Sequence, residues 1–286
     1  MRIANVGGRL TLLTARGAID AATASDGRFS SDPQAVYEVF DDFRQWAARQ
    51  GEPASAGPDP MADLTKLGSP APAPRQVFAI GLNYRDHAAE GGFPTPEEPP
   101  VFTKFVSSLS GPVTEVPLPK GSVDWEVELV AVISREARKV TVAEAWDHVA
   151  GLTVGQDLSE RQMQLSGPAP QFGLAKSHPG FSPMGPVLVT PDALPSREDL
   201  EIGCSINGEE VQKARTSGMI FSVPELVSFR SSVVTLYPGD VIFTGTPAGV
   251  GAGRKPQRYL DAGDELHSWI DGIGEMKQRF LPHTTA

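Results

Sequence analysis

Val123-Asp124-Trp125-Glu126-Val127-Glu128-Leu129-Val130-Ala131-Val132-Ile133 is the stretch on which the reading of this chain turns. It reads as a single β-strand. Strand side chains alternate, so Glu126 and Glu128 face the same way, roughly 6.5–7 Å apart at Cα. Residues 129–133 are wholly apolar, which predicts a buried strand rather than an edge. A buried carboxylate is costly unless it is paired or coordinates a cation. Asp157 follows a second apolar stretch, residues 149–156, and supplies a third carboxylate. Three carboxylates without Cys or His form a hard oxygen donor set that suits Mg²⁺ or Mn²⁺ better than zinc. Spacing alone leaves the alternative open: two solvated glutamates on a strand and an unrelated aspartate.

Working outward, 286 residues suffice for one large domain, or for a main domain with a small appendage. A 40% hydrophobic content with 29 Gly and 26 Pro points to a globular, turn-rich, β-heavy protein. Acidic residues outnumber basic ones, 35 to 25, and the net charge of −10 argues against a nucleic-acid surface. The lone Cys204 rules out an intrachain disulfide, fits a reducing compartment and reads as a small buried apolar residue. Residues 1–8 have no signal-peptide core and no run of 18 apolar residues occurs, so no membrane span and a cytoplasmic protein are expected.

The first 70 residues read as a small N-terminal α/β domain. Residues 3–6 and 10–14 are short strands around Gly7-Gly8. A helix capped by Asp32, with Pro33 in its first turn, carries Val36, Val39, Phe40, Phe43 and Trp46 at helical spacing and ends at Gly51. Residues 51–76 are rich in Pro, Ala, Gly and Ser and read as a linker. The main domain, residues 71–286, opens its first strand near residues 77–80. Thr141 with Glu144, and Ser222 with Glu225, are capping boxes that predict helices running through Val149 and Phe229. Asn207-Gly208 and Asp271-Gly272 each join two strands as hairpins. Strands dominate and do not alternate with helices, so the expected class is α+β with a mixed, β-dominated core. Gly245 to Gly253 resembles a phosphate loop, but it lacks the GxGxxG spacing and Pro256 follows where a helix would be needed.

Further candidates for chemistry flank the carboxylates. His87 and Glu90 are three apart in a short helical stretch, where the carboxylate orients the imidazole as a base; a surface ion pair is the alternative. The Gly- and Pro-rich residues 91–100 read as a flexible loop, and residues 88–99 as a lid that orders over substrate, or else as an ordinary surface loop. Arg161 and Gln164 share a face with Asp157 if that stretch is helical, and Arg161 could then grip a substrate carboxylate. Lys176, at the end of a short apolar approach, could stabilise an enolate or carbonyl oxygen, or be an ordinary solvated lysine.

Taken together, these pieces resemble the fumarylacetoacetate hydrolase family. The resemblance rests on GLNYRDHAAE (81–90), PVFTKF (100–105), DWEVEL (124–129), GQDLSERQMQ (155–164), LAKSH (174–178), INGEEVQKARTSGMIF (206–221) and LYPGDVIFTGTPAGVG (236–251), in order across most of residues 78–275. It implies a mixed β-roll, usually a homodimer, holding Mg²⁺ or Mn²⁺ on Glu126, Glu128 and Asp157. It implies that His87 and Glu90 form the lid's His–Glu pair. It places Lys176 in the catalytic machinery and Arg161, Gln164 and Thr246 on the substrate side. The chain departs from the family after the Asp-x-Ser, where Glu160-Arg161-Gln162 keeps the arginine but changes its neighbours. The reaction implied is metal-dependent hydrolysis of a carbon–carbon bond in an acylpyruvate-like β-diketo acid. Oxaloacetate decarboxylation and isomerisation or hydration of a 2-oxo-diene diacid are the alternatives on the same scaffold, and a non-catalytic metal-binding scaffold is a remote one.

Overall fold

The computed structural model describes residues 1–52 and 66–283. Part of the expected linker at 51–76 therefore lies outside the described residues. Among the described residues, an eleven-stranded mixed sheet runs in the order Gly17–Asp20, Arg9–Thr14, Arg2–Val6, Ser182–Val189, Val149–Gln156, Val127–Ile133, Val241–Phe243, Val77–Ile80, Val101–Thr103, with two short strands off this path. A second sheet of five strands runs Glu209–Arg215, Glu201–Ile206, Glu265–Ile270, Gly274–Leu281, Val113–Pro117. Most neighbours are antiparallel, but Val77–Ile80 runs parallel to Val241–Phe243, and Val113–Pro117 parallel to Gly274–Leu281. This is the expected α+β, β-dominated class. No helix among the described residues is long and apolar enough to cross a membrane.

The apolar run chosen from the sequence sits near the middle of the large sheet and is buried along its whole length. Its two faces feed different cores. Val127, Leu129, Ala131 and Ile133 pack in one cluster with Ile202, Leu266, Met276 and Phe280 of the second sheet. Val130 and Val132 pack in the other with Leu10, Phe40, Phe43 and Trp46. The leading strands join the large sheet directly: Arg2 and Ile3 pair with Val189 and Leu188. The 40–47 helix thus covers one face of that sheet with the aromatic stripe the sequence displays.

Four local expectations are corrected. The 123–133 strand is not continuous; Val123–Asp124 pairs with Ser159–Glu160 in a separate ribbon, and only Val127–Ile133 joins the large sheet. The break falls where the Asp124 carboxylate accepts the Trp125 amide at 2.8 Å, turning the chain between the two pieces. The Thr141–Glu144 side-chain contact forms, at 2.6 Å, yet only a 3₁₀ turn at Ala145–His148 follows, because Val149 is already committed to a strand. At the N-terminus a 3₁₀ turn at Ala35–Val39 precedes the α-helix Phe40–Ala47, which stops before Gly51. Finally, Asp157 is not helical; the helix begins only at Arg161 and spans Arg161–Gln164. By contrast, the Ser222–Glu225 capping box opens the Val223–Val233 helix, and both hairpins form. Cys204 is fully buried.

Candidate metal centre and its proton-transfer pair

Sheet register brings the three carboxylates together. Val127 pairs with Gln156 and Glu128 with Gly155 in antiparallel register. One step further, the Asp157 amide donates to the Glu126 carbonyl at 2.9 Å, so Asp157 lies opposite Glu126. Opposed side chains on one sheet face lie about 5 Å apart at Cβ. One carboxylate oxygen from each of Glu126, Glu128 and Asp157 lies within 4.8 Å of the others, and all three residues are buried. Glu128 Oε2 accepts the Gly245 amide at 2.7 Å, whereas Glu128 Oε1 is buried with no hydrogen-bond partner. Gly245 reaches that position with φ +102°, and a Cβ there would meet the Asn83 Cβ at 2.6 Å. An unpartnered buried carboxylate oxygen inside an all-oxygen group is what a hard divalent cation would satisfy, so these residues fit Mg²⁺ or Mn²⁺.

Cationic side chains surround the group. Lys176 Nζ donates to Glu126 Oε2 at 2.8 Å and to Asp157 Oδ2 at 2.7 Å. Lys104, for which the sequence alone predicts no role, is fully buried; it donates to Asp157 Oδ1 and to the Lys176 and Phe181 carbonyls. Arg161 Nη1 lies 2.7 Å from Glu126 Oε1, while its Nε and Nη2 each lie 2.8 Å from Asp124 Oδ2. Burial works against the ionised form of Glu126, but Lys176 and Arg161, with His87, outweigh it and hold the carboxyl down at about 2. Glu128 goes the other way: burial, then Asp157 and Glu126, push it well above the usual carboxylate range. Burial lowers Lys104, with Lys176 adding to the effect. It also opposes the charge on Lys176, where Asp157 and Glu126 prevail and raise it. Two carboxyls of one cluster pushed apart in this way are typical of functional sites.

His87 and Glu90 lie on the Arg85–Glu90 helix, with His87 Nδ1 3.3 Å from Glu90 Oε2, and both side chains are mostly shielded from solvent. Glu90 also accepts the Gly249 amide at 3.0 Å, which fixes the carboxylate that orients the ring. A Cβ on Gly253 would lie 2.5 Å from the Glu90 carboxyl carbon, so only glycine lets that loop approach so closely. The loop dismissed as a nucleotide site does use its amides on anions, but the anions are the chain's own Glu90 and Asp124. Gln164 Oε1 accepts from Arg161 Nη1 at 2.9 Å. Thr246 Oγ1 donates to the Val127 carbonyl and accepts from Gln212, both at 2.9 Å. The fork of Arg161 is filled by Asp124, Glu126 and Gln164, whereas its sequence position left it free to grip a substrate carboxylate. Phe93, in the segment after this helix, is 56% exposed.

The pattern of the fumarylacetoacetate (FAA) hydrolase C-terminal family matches residues 76–281. A mitochondrial oxaloacetate tautomerase of Homo sapiens is 44% identical over 217 residues, covering 75% of this chain and 69% of that protein. A 2,4-didehydro-3-deoxy-L-rhamnonate hydrolase of Sphingomonas sp. is 46% identical over 217 residues, covering 75% of this chain and 76% of that protein. A solved structure from Mycobacterium smegmatis is 56% identical, with a TM-score of 0.92 over 99% of this chain and 100% of that one. The maleylpyruvate hydrolase of Sphingobium sp. SYK-6, solved with manganese(II) and pyruvate, is 28% identical, with a TM-score of 0.77 over 99% of this chain and 100% of that one. On sequence, fold and the buried acidic triad together, this chain belongs to the fumarylacetoacetate hydrolase family of enzymes.

Proposed function

We propose that the chain hydrolyses a carbon–carbon bond in an acylpyruvate-like β-diketo acid, with Mg²⁺ or Mn²⁺ held by Glu126, Glu128 and Asp157. The observation that carries this is the buried Glu126, Glu128 and Asp157 group with one unpartnered Glu128 oxygen, in a chain that also holds a His87–Glu90 pair 3.3 Å apart. The bound cation would supply positive charge to the 2-oxo acid end of the substrate. His87, its ring fixed by Glu90, takes a proton from water, and the water oxygen adds to the distal carbonyl. The bond between that carbon and the pyruvate methylene then breaks; its electrons stay with the methylene as an enolate, which a proton converts to pyruvate. Lys176 sets an ammonium beside the carboxylates, where it stabilises negative charge building on the enolate oxygen. Gln164 and Thr246 stand on the substrate side, and residues 88–99 close over it as a lid.

The test is loss of enol absorbance from acylpyruvates, with pyruvate counted in a coupled assay, in chelated and Mn²⁺-restored protein. His87→Ala should lower hydrolysis about 10²–10⁴-fold. Pyruvate released at an undiminished rate by that variant would remove His87 from the chemistry. A second reading is favoured by the 44% identity to an oxaloacetate tautomerase. Moving a proton between carbon and oxygen needs the same base but cleaves nothing. Oxaloacetate enol lost without release of pyruvate or CO₂, beside inert acylpyruvates, would decide for it. Decarboxylation would instead release CO₂.

We also read the protein as a homodimer, supported by exposed apolar side chains on neighbouring segments. Phe105, Leu174 and Val233 are 52%, 61% and 70% exposed around one groove. Light scattering after size exclusion, with Leu174→Glu as the comparison, tests that state.

A further inference from the structure

Asp124 is absent from the chemistry above, yet few side chains in the protein are more completely engaged. It is fully buried. Oδ1 accepts the amides of Trp125 at 2.8 Å and Gly251 at 2.7 Å. Oδ2 accepts the Ala252 amide at 2.9 Å, and Arg161 Nε and Nη2 each at 2.8 Å. The other end of the same guanidinium reaches Glu126 Oε1 at 2.7 Å. Arg161 therefore lies between a carboxylate that takes no part in the acidic cluster and one that does.

That arrangement creates a conflict for the cluster. A guanidinium on Glu126 competes with a cation for the same carboxylate, and it repels that cation. Asp124 counters both effects, because three backbone amides fix its charge on the side of Arg161 away from the cluster. An asparagine could fill the space but would bring no charge, and one of its two polar ends would face amide donors it cannot accept from.

We propose that Asp124 is a positioning residue that restrains and neutralises Arg161, and so limits its competition with the metal for Glu126. This rests on the reading of Glu126, Glu128 and Asp157 as a divalent-cation site. It gives Arg161 an internal partner in place of a substrate carboxylate. It also gives the loop around residues 249–252 a purpose: one stretch of backbone anchors Asp124 behind the cluster and Glu90 behind His87.

The test is Mn²⁺ binding to the full chain by titration calorimetry, with no substrate present, and thermal unfolding to confirm that each variant is folded. Asp124→Asn should weaken Mn²⁺ binding about tenfold or more, as changes behind a metal ligand commonly do. Adding Arg161→Gln to it should recover most of that loss, since the unrestrained guanidinium is then gone. A purely structural role for Asp124 would show no such recovery. Arg161→Gln alone keeps the three amides on Asp124 and should bind Mn²⁺ at least as tightly as wild type. It decides the matter by itself if Asp124→Asn does not fold. The proposal is overturned if Asp124→Asn binds normally, if the double variant is no better than the single, or if Arg161→Gln alone weakens binding. Wild-type protein that binds no Mn²⁺ is a separate outcome, which removes the cation site itself and this proposal with it.

Discussion

At Glu128 two opposite demands meet on one side chain. Its carboxyl is pushed up first by burial and then by Asp157 and Glu126, and one of its oxygens has no partner. A raised carboxyl in the folded protein retains a proton that the unfolded chain releases above its ordinary value of 4.5. Without a cation, stability from this group is therefore full below 4.5 and declines as pH rises toward the folded value. Glu126 has the reverse sign: its contribution is present above 4.5 and is lost as pH falls toward about 2. A divalent ion takes the place of the Glu128 proton, so Mn²⁺ should raise the thermal midpoint more near about pH 8 than near about pH 5. Equal shifts at both pH values would contradict the assignment. Asp157 carries a structural duty as well. Lys104 is fully buried and, among the described residues, Asp157 is the only carboxylate that accepts from it, so Asp157→Ala should cost about 3–5 kcal/mol in urea unfolding, besides losing the ion. Glu126 and Glu128 were legible because a period of two can be read along one segment. Lys104 and Asp124 were not, since their roles depend on partners 53 and 37 residues away. Arg161 was noticed, but nothing in its own neighbourhood tells whether its partner is internal or a ligand.

Among the elements, the loop from Gly245 to Gly253 is the one whose place in the fold is most informative. It carries the look of a phosphate cradle, and its amides do bind anions, but they bind carboxylates delivered from two other segments. Sequence pattern detects amide-rich turns; it does not detect what they face. The consequence is testable at Gly253, where an added Cβ would stand 2.5 Å from the Glu90 carboxyl carbon. Gly253→Ala should displace Glu90 from His87 and lower kcat about tenfold or more, with little change in thermal midpoint. An unaltered kcat would mean that the Glu90 contact is dispensable. The hairpins at Asn207-Gly208 and Asp271-Gly272 were readable because two adjacent residues determine such a turn. The helix expected after Thr141 was not, because Val149 answers to a sheet formed with distant residues.

Over the whole molecule, the leading strands and the main sheet form one hydrogen-bonded unit. Arg2–Val6 lies between Arg9–Thr14 and Ser182–Val189, and the 40–47 helix packs its aromatic residues against Val130, Val132 and Phe243. Deleting residues 1–52 should leave the 182–189 strand with an open edge and a large apolar face in water. The truncated chain is expected to be insoluble or aggregated in light scattering; a monodisperse, active product would show that the leading segment folds as a separate body. The sequence showed the strands and aromatic stripe of that segment but not their destination, because pairing across so long an interval leaves no local trace. The same interval governs how the protein is made. During synthesis the first strand leaves the ribosome long before its partner at Val189 exists, a wait of about 10–40 s at elongation rates of about 5–20 residues per second. For that time Ile3, Leu10, Phe40, Phe43 and Trp46 have no sheet to cover, so nascent chains of this protein should be clients of ribosome-associated chaperones until residue 189 has emerged.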